Sequence, residues 1–374
     1  MNRRPSQSRN GFDSFSPQHT AHFKAAQPGD EFFEPKPRAP LGRRLLLALL
    51  ALLLIALAVN LAVNQFVQVA RVTVPIRRMD SAFEGYTLLH ISDLKGAAYG
   101  SGQSLIRFAL QNEDFDAVVL TGDMVSSRGN AQPLYELIEM LRELKPDAPI
   151  YMIPGDKDPL PASMSYATGG SPFAPWVLGA KQRGGQLLSA PVQIERDGHT
   201  LWLTTSALLS LDMDTMQGQF ERQYLDALAT GDENAIELTT YNLQWLTETR
   251  DARAKMTDAD VYIALTHVPP ADEELEGAYS GSLRERVHLV LCGHYQGGLV
   301  RLPFVGALFI PSQNLPLYGL LPGEETYYGL TKKGGTYLYV SPGLGGNDGL
   351  YPLPFFRLFN PPTVSLISLT TSSL

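Results

Sequence analysis

Five short apolar runs in this sequence each stop on an aspartate or a histidine. Leu88–Ser92 runs into Asp93, and Ala117–Thr121 into Gly122-Asp123. Ile150–Ile153 leads to Gly155-Asp156-Lys157-Asp158, Val261–Leu265 to Thr266-His267, and Leu289–Cys292 to Gly293-His294. A run of four or five aliphatic residues closed by a chain breaker reads as a buried strand. Open α/β sheets build their sites at the carboxyl ends of such strands. The five ends therefore predict one shared polar cluster.

The segments between them fit that architecture. Gln132–Lys145 places Leu134, Leu137, Ile138, Leu141 and Leu144 at the 3.6-residue period, and Pro146 stops the helix. Ser104–Glu113 is helical on the same reasoning. Strand, helix, strand, helix, strand predicts an α/β fold with parallel crossovers. Residues 159–188, rich in Pro, Gly and Ser around Trp176, read as a long loop or cap. Val192–Glu195 and Thr200–Thr204 read as a hairpin turning at Asp197-Gly198. Residues 217–257 read as helical, and the end from Val300 as β structure finishing with Thr363–Leu369. The two strand-rich halves, around Asp93–Asp158 and His267–His294, predict two sheets meeting at the site.

The N-terminal region is of another kind. Residues 1–44 lack apolar periodicity and read as a disordered basic tail. They hold eight basic and four acidic side chains, so the remainder is more acidic than the chain's net charge of −8. An acidic body argues against nucleic acid as a partner. Leu45–Val63 is almost unbroken aliphatic sequence, long enough to cross a bilayer, with Arg43 and Arg44 just before it. The positive-inside rule then keeps the tail cytoplasmic and the body extracytoplasmic on a single-pass membrane anchor. A cleaved secretory signal of twin-arginine type is the rival reading. The long preceding tail and the want of a small-x-small cleavage site stand against it. Residues 64–82 read as linker and lead-in, and 83–369 as the folded domain. The one cysteine, Cys292, excludes an intrachain disulfide and a Cys-rich zinc site.

The order Ile-Ser-Asp93-Leu, Leu-Thr-Gly-Asp123, Gly155-x-x-Asp158, His267-x-Pro and Gly-His294-x-x-Gly-Gly resembles the calcineurin-like metallophosphoesterases. Tyr339–Gly345 and Arg357–Pro362 are similar to the final strands of membrane-associated bacterial members. The resemblance implies a four-layer αββα sandwich with a two-metal site at the strand ends. Several family positions are altered here. Lys95 stands where the first motif has His, and Gln296 replaces the second His of the last motif. Asp156 and Lys157 take the places of the ligand Asn and the catalytic His.

Sorted by ion, the resemblance implies that the first metal loses both nitrogen ligands, at 95 and 296. A protonated lysine has no lone pair to offer. The second keeps Asp123, Asp156, His267 and His294, a set suited to Mn, Fe or Zn. Counting Asp93 among the inherited carboxylates, the expectation is one divalent transition ion, or none, with Lys95 between Asp93 and Asp123. Two functions follow. The first is a membrane-anchored hydrolase of phosphoesters, lipid-linked or cell-wall ones suiting the anchor, in which Lys95 and Lys157 take up phosphoryl charge. The second is an inactive pseudo-phosphoesterase serving as a binding or structural module. His90 and His288 are read as packing residues, and His19, His22 and His199 carry no role.

Overall fold

The computed structural model describes residues 40–64, 66–126, 128–163, 171–275, 287–298, 300–302, 304–308, 310, 320–323, 327–346 and 357–371. In chain order the strands are β1 (Gln68–Pro75), β2 (Thr87–Ile91), β3 (Ala117–Thr121), β4 (Ile150–Ile153), β5 (Gly185–Leu187), β6 (Val192–Arg196) and β7 (His199–Thr205). There follow β8 (Val261–Leu265), β9 (Leu289–Cys292), β10 (Arg301–Leu302), β11 (Gly306–Ala307), β12 (Gly329–Lys333), β13 (Thr336–Val340) and β14 (Thr363–Thr370). One six-stranded sheet has the order β1-β14-β2-β3-β4-β5, and the other β12-β13-β9-β8-β7-β6, with β10 and β11 a separate pair. β2 to β5 run parallel, as do β7, β8, β9 and β13.

The central strands are apolar on both faces because both faces are covered. Side chains alternate along a strand, and here the alternation sorts them into different cores. Leu89, Val118 and Met152 pack with Ile106, Leu134, Leu137 and Leu141, which come from α2 (Ser104–Leu110) and α3 (Gln132–Leu144). Their neighbours Leu88, Val119 and Ile153 pack against Leu203, Ile263 and Leu291 of the other sheet. Tyr262, Val290 and Leu338 face outward onto Leu209 and Met256. The layers are helix, sheet, sheet, helix.

Several elements differ from the sequence expectation. Gln68–Pro75, expected as linker, is an edge strand paired in parallel with β14, from Gln68↔Thr363 to Pro75↔Thr370. A proline is tolerated at such an edge. Residues 159–188 are not loop throughout, since they contain α4 (Pro175–Gln182) and β5. The helical stretch is two helices after a short α5 (Ser206–Leu209): α6 (Met213–Thr230) and α7 (Glu233–Lys255). Gly231 closes α6 at φ 67°, and the Asp232 side chain caps α7 by accepting from Ala235 N at 3.0 Å. The hairpin turns at Asp197 and Gly198 as expected, both with positive φ.

The chain divides into two units, Met1–Ile55 and Ala56–Leu374. Most of α1 (Leu41–Val63) lies in the first and starts four residues before the expected span. At about 1.5 Å per residue, its 23 residues make it long and apolar enough to cross a membrane. Its leucines are exposed. In the second unit, the last turns of α1 hold the buried Asn60, which donates to Arg357 O at 2.7 Å and accepts from Phe359 N at 2.9 Å. Asn64 donates to the same carbonyl. Residues 1–39 of the expected tail and 164–170 of the expected cap lie outside the described residues.

Candidate metal centre

The loops after β2, β3 and β9 share an unusual backbone. Asp93, Lys95, Asp123, His294 and Gln296 have φ of 56°, 51°, 53°, 70° and 53°. Left-handed conformations are uncommon outside glycine and gather at functional sites. Hydrogen bonds hold them there. Asp93 N donates to Gly122 O at 3.0 Å, and Lys95 N to Asp123 O at 2.8 Å, so the β2 and β3 loops continue the strand pairing. Gly293 is required by close approach, since a Cβ there would collide with Ser92 Oγ and Asp93 Oδ2.

Asp93, Asp123, Asp156, His267 and His294 converge, and Lys95 and Lys157 stand beside them. On one side Lys95 Nζ lies 3.3 Å from Asp123 Oδ2 and 3.8 Å from Asp93 Oδ1. All three side chains are buried. Asp93 also accepts from Ser92 Oγ, from His294 N at 3.1 Å and from Gln296 Nε2 at 3.4 Å. Asp123 Oδ1 accepts from the backbone N of Lys157 at 2.9 Å. An ammonium thus stands between two buried carboxylates.

On the other side no lysine is buried among the ligating atoms. His267 Nε2 lies 3.0 Å from Asp156 Oδ1 and 3.4 Å from Asp123 Oδ2. His294 Nδ1 is 3.4 Å from Asp156 Oδ1, and the two rings meet edge to face at 5.2 Å. Lys157 Nζ donates to Asp156 Oδ2 at 2.7 Å from a half-exposed position. Burial pulls the His267 imidazolium down, but hydrogen bonding to Asp123 and Asp156 outweighs it and pushes the pKa up to about 11. Those contacts to His267 hold Asp156 well below the usual carboxylate range. At Asp123 burial raises the pKa, and His267 with Lys95 turns the net shift downward. Burial and the neighbouring His267 lower His294.

These residues fit an ion on the histidine side. His267 Nδ1 pairs with Thr121 O at 2.8 Å, which leaves Nε2 as the lone-pair nitrogen of a neutral ring. That atom lies 3.0 Å from Asp156 Oδ1, so it either carries a proton there or gives its lone pair to an ion. One donor atom each from Asp156, His267 and His294 falls within a mutual 4.8 Å, as does one each from Asp93, Asp123 and His267. A lone pair facing two carboxylates calls for a cation, either a proton or a metal, and metal binding releases the proton. The second group already contains the Lys95 ammonium.

Further residues hold this arrangement. Asp158 Oδ2 accepts from Gly155 N at 2.8 Å and Oδ1 from Val125 N at 2.7 Å, tying the β4 loop to the β3 loop. Burial raises its pKa to about 6. Arg357, fully buried, donates to Gly345 O and Asn360 O at 2.7 Å, Pro342 O at 2.8 Å and Gln296 O at 3.1 Å. Burial brings its pKa down to about 10. The sequence offered only the Asp158 and Arg357–Pro362 motif positions as signals, without a role. His90 and His288 are packed as expected, His90 Nε2 pairing with Thr121 Oγ1 at 2.7 Å.

Comparison with known proteins agrees with this geometry. The family model described as calcineurin-like phosphoesterase matches residues 86–296. Similar solved structures include a phosphopantetheinyl hydrolase from Mycobacterium tuberculosis, 11% identical, covering 74% of this chain and 96% of that one at a TM-score of 0.32. Another is a dimetal phosphatase from Danio rerio, 13% identical, covering 70% of this chain and 88% of that one at a TM-score of 0.34. At these identities and scores the two structures assign no activity. No curated protein matches by sequence. The match extends over more than half of the residues and takes in all seven site positions, and the chain belongs to the calcineurin-like phosphoesterase family.

Proposed function

We propose that this protein is a membrane-anchored, metal-dependent phosphoesterase that works with one divalent ion and a lysine in place of the second. The observation that carries the reading is the pairing of unlike halves. Lys95 Nζ lies between Asp93 and Asp123, while His267 Nε2, 3.0 Å from Asp156 Oδ1 and 3.4 Å from Asp123 Oδ2, stands where a proton or an ion must sit. Asp123, Asp156, His267 and His294 would hold the ion, with Mn, Fe or Zn fitting mixed imidazole and carboxylate donors. When bound, such an ion supplies a Lewis acid for a phosphoryl oxygen and lowers the pKa of water.

The chain's own residues do the rest. Lys157, half exposed on the β4 loop, presents its ammonium to the phosphoryl oxygens and offsets the charge that grows on them. Lys95 stays fixed between its carboxylates and keeps the site from repelling an anionic ester. Arg43-Arg44 ahead of α1 would place the tail in the cytoplasm and the family domain, residues 83–369 with β1 added, outside it. A non-catalytic module is the second reading. It is favoured by the replacement of the family's catalytic His by Lys157, whose Nζ is held by Asp156. Phosphate release from phenyl phosphate by the full chain in lipid nanodiscs decides between them. The enzyme reading expects manganese-dependent release that Lys157→Ala lowers at least tenfold, and the module reading expects none.

A further inference from the structure

His267 faces the ion site with one edge and also forms part of the wall of a second feature, a cavity of about 400 Å³. That volume lies within the usual range of a small-ligand pocket. Leu187, Leu188, Leu208 and Leu211 supply aliphatic surface, and Tyr241 and Trp245 of α7 close one side. Among the described residues that line it, none but His267 carries a charge at neutral pH.

Three polar side chains of this wall are already engaged. Trp245 Nε1 donates to Ser189 O, so the indole shows only its hydrocarbon to the cavity. Thr205 Oγ1 accepts from Leu208 N at 3.2 Å, capping α5, and Thr266 Oγ1 donates to Val268 O at 3.0 Å. Tyr241 packs edge to face on Phe173 at 5.0 Å. A sugar or nucleotide placed here would bury polar groups without partners, which is costly. A hydrocarbon would not.

We propose that the site takes phosphoesters of an apolar alcohol, with the phosphate at His267 and the hydrocarbon in this cavity. The proposal rests on the phosphoesterase reading and names its substrate class. The reaction is hydrolysis of a monoester. A P–O bond forms from water, the P–O bond to the alcohol breaks, one water proton ends on the departing alcohol oxygen and the other on the phosphate. Inorganic phosphate and a free apolar alcohol are the products. The chemistry is shared by a lipid phosphate in the bilayer and a soluble alkyl phosphate.

The test uses the full chain in nanodiscs with manganese, lipid-only discs as the blank, and ethyl, butyl, hexyl and octyl phosphate as probes. Phosphate release and Trp fluorescence titration are read in parallel. Each methylene buried should raise kcat/KM and tighten binding about fourfold until the cavity is full. Ala207→Trp, which adds bulk at the cavity wall, should flatten that dependence. Ethyl and octyl phosphate hydrolysed alike would overturn the proposal and leave the phosphoesterase reading standing. Binding that tightens with length and is lost in Ala207→Trp, but with no phosphate released, would uphold apolar recognition and sink hydrolysis. Neither length-dependent binding nor release would overturn both. Release from phosphatidate in the discs as well as from octyl phosphate supports a membrane source, and release from octyl phosphate alone supports a soluble one.

Discussion

The two halves of the site are made in the same way and end in opposite electrostatic states. Each gathers carboxylates at the ends of parallel strands, and each lies under a left-handed loop residue. Around Lys95 the chain itself supplies the cation: two buried carboxylates enclose one buried ammonium. Around His267 the cation is exchangeable: Nε2, 3.4 Å from Asp123 Oδ2 and 3.0 Å from Asp156 Oδ1, carries a proton or gives its lone pair to a metal. The first half can fold and stay folded without an ion. The second is completed only by a proton or a metal.

Disturbing what both halves share should give the largest effect. Arg357→Met takes the donor from the buried carbonyls of Pro342, Gly345 and Asn360, while Gln296 O keeps Asn360 Nδ2, and at about 1–3 kcal/mol for each unsatisfied group urea denaturation should show a loss of at least about 3 kcal/mol. Arg357→Lys should recover less than half, because an ammonium cannot span the four acceptors. A change confined to the first half comes next. Lys95→Met leaves Asp93 and Asp123 facing each other, and breaking a buried pair of this kind costs about 3–5 kcal/mol. The same denaturation experiment should show that loss, and a phosphate-release assay on this variant should show no gain, since the vacated space still lacks nitrogen ligands. Stability unchanged by Lys95→Met would erase the contrast between the halves.

The second half should answer to ions instead. Manganese at about 100 times its dissociation constant should stabilise the fold by about 2.7 kcal/mol. Thermal unfolding with and without chelator should lose that difference in His267→Ala and keep it in Lys95→Met. The smallest effect on folding is expected at Lys157. Its pair with Asp156 is half exposed, and Lys157→Ala should change stability by less than about 1 kcal/mol. An equally large ion effect in the His267→Ala protein would place the ion elsewhere.

Much of this was legible because strand ends are local. Leu88–Asp93 and Leu289–His294 announce a buried strand and its polar stop within seven residues, and the two sheets follow from five such stretches. What escaped depends on distant partners. β1 is recognisable only through β14, almost 300 residues later, and its mixed exposure resembles a linker. Asn60 reads as a blemish in an apolar helix until its bonds to the Arg357 loop are seen. Arg357 itself binds carbonyls, which every residue carries, so no side-chain partner in the sequence marks it. The convergence of Asp93, Asp123, Asp156, His267 and His294 could be anticipated from motif order. The occupation of one half by Lys95 followed from a substitution, but its distances did not.

The central claim is that one half of this site carries its cation in the chain and the other takes it from solution. Metal content per chain, measured on the full protein after manganese loading and gel filtration, tests it most directly. The account predicts one equivalent, lost in a His267→Ala/His294→Ala variant, and rising to two when Lys95→His, Gln296→His, Lys157→His and Asp156→Asn are combined. Two equivalents in the unaltered protein, both lost in Asp123→Ala, would contradict it.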